Sequence, residues 1–448
     1  MTSRRIARGV LAVVAVAVVA AAAVWFAARG RAPKAPPAAP RVVVLGIDGV
    51  DWEIMQAAVA AGRMPNLGRM INGGASGMLR SIPPYISPSI WTTIATGKLE
   101  EKHGIKDFLG ERKRAGMSSP TTSNMRQAKA LWQVAGERGL TVGFVAWLVT
   151  WPPEPVNGYM VSSLFEELAR RDERAGMLRP WDDPQTAVHP PELFPALSDL
   201  LVRQEDVPDD LVLRFLGTDR HLSRPEVAKG VDDLRRFLAS DLTTLEVAKT
   251  LLGSVPTDLA GVYFRGLDLA CHMFWRHRAP EQWPDGVSAP EVETLGPVIE
   301  RYYALADSFV GEIAKAAEGA VLIVCSDHGF EGHGARDGGG EPRLGTAMHR
   351  EGGIIVMAGP GVRAGAAIEG ATVLDVTPTV LAILGIPLGR DMDGRALVEA
   401  LTKEARAERP IAFVATHEGA ARHGDAEPIP SPVDDEIKEM LRTLGYIE

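Results

Sequence analysis

Short apolar runs alternate with helical patterns along most of the chain. The runs are rich in Val, Ile and Leu without regular polar alternation, which is typical of strands covered on both faces. They lie at residues 41–47, 141–147, 259–265, 320–326 and 353–358. Between them, apolar residues recur at helical spacing at residues 127–138, 298–317 and 373–384. Strands that alternate with helices predict an α/β fold whose mostly parallel sheet is sandwiched by helices.

This rhythm breaks between about residues 157 and 253. Pro-rich segments come first, and a long helical pattern follows at residues 231–252. We expect this stretch to be an inserted region that forms a lid over the edge of the sheet.

The N-terminus carries a separate apolar segment. Residues 10–28 are 19 uncharged residues, mostly Ala and Val, behind Arg4, Arg5 and Arg8 and ahead of a Pro-rich stretch at 33–40. The segment suits either a cleaved secretory signal or a membrane anchor. Basic residues flank it on both sides, so the positive-inside count leaves its orientation open. A cleaved signal and an anchor with its N-terminus inside the cell both predict an exported protein, periplasmic or extracellular, with membrane attachment through residues 10–28 as one alternative.

The charge of the body argues against a nucleic-acid partner. The whole chain has a formal charge of −9, but six basic and no acidic residues fall within the first 40 positions. The remaining residues therefore hold 42 basic and 57 acidic groups, a formal charge of −15. We expect no nucleic-acid binding surface on so acidic a body. The two cysteines exclude a disulfide framework and a thiolate zinc site.

Three of the predicted strands end in side chains that bind metals. Asp48 follows the first run, Asp268 the third, with His272 four residues later, and Asp327-His328 the fourth. Ligands of open α/β sheets collect beyond the carboxyl ends of the strands. Asp268 and His272 lie one helical turn apart, so both can reach one ion. A single Asp after a strand is more often a turn former or a helix cap. The coincidence of three such ends predicts a metal site.

Ser87 is the candidate nucleophile. It is predicted at the N-cap of a helix with Pro88 at the first helical position, so its hydroxyl lies at the positive end of that helix. A hydroxyl there, beside a dication, is well placed to ionise and to receive an anionic ester. The local sequence leaves open whether Ser87 is only a cap.

The order of these motifs resembles the alkaline phosphatase superfamily. The motifs are Gly46-Ile47-Asp48-Gly49, the Ser87 segment ending in Thr96-Gly97, His103-Gly104-Ile105, Asp268 with His272, Ser326-Asp327-His328-Gly329 and His349. The branch that matches best is the type I phosphodiesterase / nucleotide pyrophosphatase family, in its bacterial form. The resemblance covers about residues 41–400 and implies an alkaline-phosphatase-like α/β fold and a small phosphoester substrate.

The resemblance also implies a ligand set and a mechanism. One divalent ion is expected on Asp48, Asp327 and His328, with Ser87 as a fourth ligand, and a second on Asp268, His272 and His349. These ligands suit Zn²⁺, with Mn²⁺ as the alternative. Ser87 is expected to attack phosphorus and to form a phospho-enzyme that water then hydrolyses.

Two positions depart from the family pattern and widen the range of expected substrates. Ser87 stands where eukaryotic-type relatives have Thr, and Ile90 stands where they have Asn. The missing amide donor puts nucleotide specificity in doubt. Trp91 stands where a sulfatase would carry an Arg, which disfavours that activity. The alternatives that stay open are a phosphomonoesterase, a transferase of phospho-headgroups and an inactive, membrane-tethered binding module.

The expected organisation has three parts. Residues 1–40 form the signal or anchor with its linker, 41–403 the catalytic domain and 404–448 a C-terminal extension whose helical pattern at 433–444 docks on the main domain. Four further residues receive structural interpretations: a loop-forming His103, a solvated His333, and buried thiols at Cys271 and Cys325.

Overall fold

The computed structural model describes residues 39–112, 117–167, 187–283, 286–332, 345–419, 426–431 and 433–447. The predicted signal or anchor at residues 10–28 and the predicted solvated His333 lie outside them. Within the described ranges, no helix has both the length and the hydropathy needed to cross a bilayer.

Nine of the described strands form one sheet. They are β1 (Val42–Ile47), β2 (Ala75–Arg80), β5 (Val142–Val145), β6 (Gly158–Val161), β7 (Val188–His189), β8 (Leu259–Phe264), β9 (Val321–Cys325), β12 (Gly352–Ala358) and β13 (Ala366–Ala367). Their order across the sheet is β13-β2-β12-β9-β1-β8-β5-β6-β7. Of these, β12 and β7 run antiparallel to their neighbours, and the other seven point the same way. The predicted mostly parallel sheet is confirmed.

Six short strands pair outside this sheet. They are β3 (Leu109–Arg112) with β4 (Met117–Pro120), β10 (Gly329–Phe330) with β11 (His349–Arg350), and β14 (Leu388–Gly389) with β15 (Phe413–Val414). The β10–β11 pair matters most for function because it carries His349 to the end of the sheet.

Helices cover both faces of the sheet. The described helices are α1 (Trp52–Ala60), α2 (Pro65–Gly73), α3 (Ser87–Thr96), α4 (Glu100–His103), α5 (Leu131–Glu137), α6 (Phe194–Ser198), α7 (Asp209–Leu213), α8 (Pro225–Ser254), α9 (Gly266–Arg278), α10 (Ala289–Leu295), α11 (Val298–Ala316), α12 (Val376–Leu384), α13 (Lys403–Glu408) and α14 (Asp434–Thr443). Helices α1, α2, α8, α9 and α11 share one apolar core with the sheet, while α3, α5 and α12 share the other. The molecule is therefore a three-layer sandwich.

The short apolar run of strand β1 contributes side chains to both cores. Val43, Leu45 and Ile47 belong to the core under α8, α9 and α11, whereas Val42 and Val44 belong to the core under α3 and α12. Side chains alternate between the faces of a strand, so both faces are buried only where every residue is apolar. The continuous apolar run in the sequence has this cause.

All five predicted strands are present, as β1, β5, β8, β9 and β12. The inserted region contributes β6 and β7 to one edge of the sheet, and its long helix α8 starts earlier than predicted, at Pro225. Proline favours the first turn of a helix, where its missing N–H breaks no hydrogen bond. Helix α8 also covers one face of the sheet, through buried Leu238, Leu245 and Leu251.

Candidate functional site

The candidate site forms where the central strands end. Strands β9, β1 and β8 are neighbours, and their registers pair Gly46 with Cys325 and Ile47 with Phe264. Their carboxyl ends therefore lie side by side and deliver Asp327, Asp48 and Asp268 to one place. All three carboxylates are buried.

Two glycines allow the close approach of the chain around Asp48. Gly49 has φ +73°, and a Cβ there would lie 3.1 Å from the Asp268 Cα. At Gly46, a Cβ would lie 2.5 Å from the Trp91 ring. The Gly-Ile-Asp-Gly motif thus lets helix α9 and the Trp91 indole pack against the strand end.

The Asp48 carboxylate is oriented by two aromatic side chains. Its Oδ2 accepts hydrogen bonds from Trp91 Nε1 at 3.2 Å and from the Tyr263 hydroxyl at 2.5 Å. Its Oδ1 has no hydrogen-bond partner among the described residues. One oxygen is therefore fixed by the protein, and the other faces the site.

The first cluster consists of Asp48, Asp327 and His328. His328 Nε2 lies 3.3 Å from Asp48 Oδ1 and 3.3 Å from Asp327 Oδ2. Ser87 Oγ lies 3.4 Å from the same nitrogen. The structure brings these four predicted residues together.

The second cluster consists of Asp268, His272 and His349. Asp268 Oδ1 lies 3.4 Å from the Nε2 atoms of both histidines, which are 2.9 Å apart. Asp268 and His272 share the first two turns of α9, as the i, i+4 spacing predicted, and His349 arrives on β11.

The two clusters adjoin. Asp268 Oδ1 lies 3.9 Å from His328 Nε2, and the ligand atoms of Asp48, Asp268 and His328 fall within 4.8 Å of one another. The His328 and His349 rings stack with centroids 3.6 Å apart. All seven predicted site residues therefore line one small region.

Backbone carbonyls select the ring nitrogens that face the carboxylates. His328 Nδ1 lies 3.0 Å from Gly329 O, and His349 Nδ1 lies 2.9 Å from Tyr85 O. A carbonyl accepts only from N–H, so each Nδ1 carries a proton and donates it. The Nε2 atom of each ring therefore faces the carboxylates, the orientation of a metal-binding histidine.

The charge balance of the clusters fits divalent cations. Asp268 Oδ1 and both oxygens of Asp327 also have no hydrogen-bond partner in the described part of the chain. Burial and the nearby Asp48 carboxylate raise the pKa of Asp327 well above its usual range. Buried carboxylates without partners are costly unless they coordinate cations. Three carboxylates with three imidazoles form a donor set that suits Zn²⁺ or Mn²⁺.

Ser87 faces the first cluster, although its place in the helix differs from the prediction. Helix α3 begins at Ser87 itself, and the cap position is Ile86. The predicted N-cap is therefore wrong by one residue. Pro88 fits equally well at the second position, because the N–H groups of the first turn have no partner within the helix. Ser87 Oγ turns to His328, whereas Ser89 Oγ turns away, to Glu100 Oε2 at 3.4 Å.

Three further side chains at the site were not predicted from the sequence. Trp91 and Tyr263, which hold Asp48, belong to a predicted helix and a predicted strand, where apolar packing alone explains an aromatic residue. The Tyr446 hydroxyl lies 2.6 Å from His272 Nε2 and 3.2 Å from His349 Nε2. Tyr446 lies 97 residues beyond His349, and no local pattern marks it.

Other residues singled out in the sequence have structural surroundings. Buried His103 accepts from Ile105 N at its Nδ1 and pairs with Thr93 Oγ1, and burial followed by the Arg126 charge lowers its pKa to about 3. This neutral ring shapes the loop, as predicted. Cys271 and Cys325 are buried free thiols.

Comparison of structures finds proteins of similar architecture at low identity. The chain is similar to human ectonucleotide pyrophosphatase / phosphodiesterase 5, with 14% identity, a TM-score of 0.45 and coverage of 81% of this chain and 100% of that one. It is also similar to a 2-O GAG sulfatase, with 11% identity, a TM-score of 0.47 and coverage of 84% and 76%. A phosphonoacetate hydrolase from Sinorhizobium meliloti gives 19% identity, a TM-score of 0.40 and coverage of 67% and 58%.

Comparison of the sequence with protein families identifies the family of the chain. No curated protein matches the sequence significantly. The family model described as type I phosphodiesterase / nucleotide pyrophosphatase matches residues 42–371, which include all seven predicted site residues. The chain therefore belongs to the type I phosphodiesterase / nucleotide pyrophosphatase family of the alkaline phosphatase superfamily and is a hydrolase of phosphoric esters.

Proposed function

We propose that the protein is a metal-dependent phosphodiesterase with Ser87 as its nucleophile and two divalent cations as cofactors. One observation carries the proposal. Buried carboxylate oxygens that have no hydrogen-bond partner among the described residues lie together beside the Ser87 hydroxyl. A structural role for these carboxylates would supply each oxygen with a donor.

Each cluster would hold one ion. The ligands of the first are Asp48, Asp327 and His328, with Ser87 as the fourth, and those of the second are Asp268, His272 and His349. When bound, the two cations supply positive charge that favours an ionised serine and a departing alkoxide. Zn²⁺ is the expected ion and Mn²⁺ the alternative.

The chain's own residues position the reaction. Ser87 Oγ forms a bond to phosphorus, and the bond from phosphorus to the leaving oxygen breaks, which releases one alcohol. Water then breaks the Oγ–phosphorus bond, releases the phosphate monoester and restores the serine hydroxyl. Trp91 and Tyr263 keep Asp48 fixed through both displacements, because their hydrogen bonds hold the oxygen that faces away from the site.

A substrate panel on the metal-loaded protein tests the reaction class. Bis(p-nitrophenyl) phosphate, p-nitrophenyl phosphate and p-nitrophenyl sulfate share a leaving group and differ in the group transferred. We expect the diester to be turned over fastest. A monoester turned over faster than the diester would reassign the protein as a phosphomonoesterase.

We also propose a domain organisation and a location. Residues 41–403 would form the catalytic domain, with 157–253 as its inserted lid and 404–448 as an extension. The basic start, the apolar run at 10–28 and the Pro-rich linker support export of this body to the periplasm or the extracellular space. Membrane attachment through the same run would make the protein an anchored form.

A further inference from the structure

A cavity opens directly above the two clusters. Its empty volume is about 860 Å³, counting space open to solvent. Asp48, Ser87 and Asp268 form its polar floor. A phosphoester held at Ser87 would therefore extend its organic part into this cavity.

The C-terminal segment forms one wall of the cavity. Ile437, Met440, Leu441 and Leu444 follow the i, i+3, i+4, i+7 spacing of one helical face, and all four line the cavity. The end of the segment is held in place, because Gly345 N donates to Leu444 O at 3.0 Å and the Phe108 and Tyr446 rings pack with centroids 4.4 Å apart. This fixed segment brings Tyr446 to the second cluster.

The rest of the cavity lining is also mainly apolar. Phe108, Leu148, Val149 and Trp151 contribute to it. Among the described polar side chains there, Arg265 pairs with Glu166 and Glu167, and Thr121 Oγ1 donates to Asp107 O at 2.7 Å, while Ser163 adds one hydroxyl.

Position 90, where the eukaryotic-type relatives have Asn, does not line the cavity. Ile90 is buried in the core beneath α3. A base and a ribose in this cavity would leave most of their polar edges without partners, and such edges are costly to bury. An alkyl or aryl group would meet carbon on both sides.

We infer that residues 433–447 are part of the active site and that they select phosphoesters with an apolar organic group over nucleotides. This inference rests on the proposed function, since it places the phosphate at Ser87. Met440 and Leu444 are its specificity-determining residues.

Competitive inhibition by two monoesters tests the inference, because each has one organic group and the same phosphate. The metal-loaded full chain hydrolyses bis(p-nitrophenyl) phosphate in the presence of phenyl phosphate or thymidine 5′-phosphate, and the two inhibition constants are compared. We expect phenyl phosphate to bind at least about tenfold more tightly, which is the order of discrimination an apolar pocket provides. Equal or tighter binding of thymidine 5′-phosphate would overturn the inference.

Substitutions on α14 and at its C-terminal end locate the source of the preference. Met440→Ala and Leu444→Ala should each weaken phenyl phosphate binding several-fold and leave thymidine 5′-phosphate nearly unchanged. The matched control is Glu439→Ala, which removes an exposed side chain beside Met440 and should leave the ratio of the constants unchanged. Loss of binding of both monoesters to the same degree would indicate a structural role instead and overturn the inference. Met440 is more exposed than Leu444, so Met440→Ala is the milder change of the two. It tests the wall even if Leu444→Ala fails to fold.

Failure of the proposed function would look different. If the metal-loaded protein hydrolyses no ester in a Ser87-dependent way, the proposed mechanism is wrong. Calorimetric titration of the same two monoesters needs no turnover and measures the ratio directly. A preference for phenyl phosphate in that titration supports the apolar wall, and its absence overturns it.

Discussion

At the scale of single residues, position separates two serines that composition treats alike. Ser87 Oγ faces His328 Nε2, while Ser89 Oγ faces Glu100 on the far side of the helix start. We expect Ser87→Ala to lower kcat for bis(p-nitrophenyl) phosphate by about 10³-fold or more, as for other nucleophile knockouts. Bound metal, measured by elemental analysis, should largely remain. Ser89→Ala is the matched control and should keep activity within a small factor. Near wild-type turnover by Ser87→Ala would move the role to Ser89 or to water.

His349 supports a second prediction at this scale. It contributes to the second cluster, and the first keeps all three of its protein ligands without it. His349→Ala should therefore lower the metal content from about two ions per chain to about one. His417→Ala is the control, because that imidazole pairs with Pro387 O at 2.8 Å in another part of the chain. An unchanged content of two ions in His349→Ala would contradict the assignment of the second cluster.

The seven predicted site residues were accessible from sequence for a physical reason. Most of them follow a strand or sit at a fixed spacing from a residue that does, so local pattern and sheet geometry together locate them. Ser87 was found from the pattern of a helix start, and His349 came from the family resemblance alone. Tyr446 could not be predicted because its contact with His272 joins residues 174 positions apart. No local pattern records such a contact.

At the scale of elements, Asp241 ties three helices together. On α8, its Oδ2 accepts from the Tyr302 hydroxyl of α11 at 2.9 Å and its Oδ1 accepts from Gly266 N at the start of α9 at 3.2 Å. Burial raises the pKa of this carboxyl to about 7; nearby Glu166 also raises it, and the two hydrogen bonds and Arg265 oppose the rise. The folded protein therefore binds a proton that the unfolded chain releases near pH 4.

This raised pKa predicts the direction of a pH effect. Between about pH 4 and 7 the folded state holds more protons than the unfolded state, so the contribution of Asp241 to stability falls as the pH rises. Asp241→Asn imitates the protonated form. It should flatten this decline and raise the urea midpoint at pH 8 relative to the wild type. Asp232→Asn, an acid on the same helix outside the buried core, is the control. A wild-type slope in Asp241→Asn would show that other groups cause the decline.

Element positions were predictable where the pattern was long and periodic. Helix α11 matches its predicted range to one residue, because 19 residues repeat one apolar face. The predicted helix at 127–138 shrinks to Leu131–Glu137, since Ala130 is extended at φ −81° and ψ 163°. Strand β13 at the edge of the sheet and its neighbour β2 were not predicted. Their short, Gly- and Ala-rich sequences become strands through pairing with β12 and with each other.

At the scale of the whole molecule, the order of the strands could not be predicted from the sequence. The neighbours of β1 are β8 and β9, which lie more than 200 residues away in the chain. Likewise β12 looks like the parallel strands in its apolar residues, yet it runs antiparallel between β9 and β2. Strands that are buried on both faces have similar apolar sequences whichever way they run. The direction of each strand depends instead on the connections between strands.

Export of the body is a prediction that concerns the N-terminal residues. Fusions of a periplasmic reporter and a cytoplasmic reporter after residue 41 should be active only with the periplasmic one, because both a signal and an anchor carry the body of the chain outward. Replacing Arg4, Arg5 and Arg8 by Glu is the control and should reduce export, since the basic start orients such segments. Activity from the cytoplasmic reporter alone would contradict the prediction.

The stability of the whole molecule should depend on metal, because the clusters gather negative charge in its centre. Asp327 is fully buried, and neither of its oxygens has a hydrogen-bond partner within the described residues. Ions that bind only the folded state stabilise it, by about 2.7 kcal/mol at a hundredfold excess over Kd. We expect Zn²⁺ to raise the Tm of the chelator-treated protein by several degrees in a thermal scan.

Substitution of Asp327 separates stabilisation by a cation at the first cluster from stabilisation by ions bound elsewhere on the protein. Asp327→Asn keeps the shape of the side chain and replaces a carboxyl whose raised pKa means that, without metal, it takes up a proton at a cost in stability at neutral pH. The metal-free variant should therefore melt above the metal-free wild type. Its Tm should also respond less to Zn²⁺, because the first cluster has lost a ligand. The control is Asp232→Asn, which lies outside the clusters and should leave both the metal-free Tm and the shift unchanged. If the metal-free Asp327→Asn protein melts below the wild type, the carboxylate is held by the fold itself, and the case for a cation at this cluster fails.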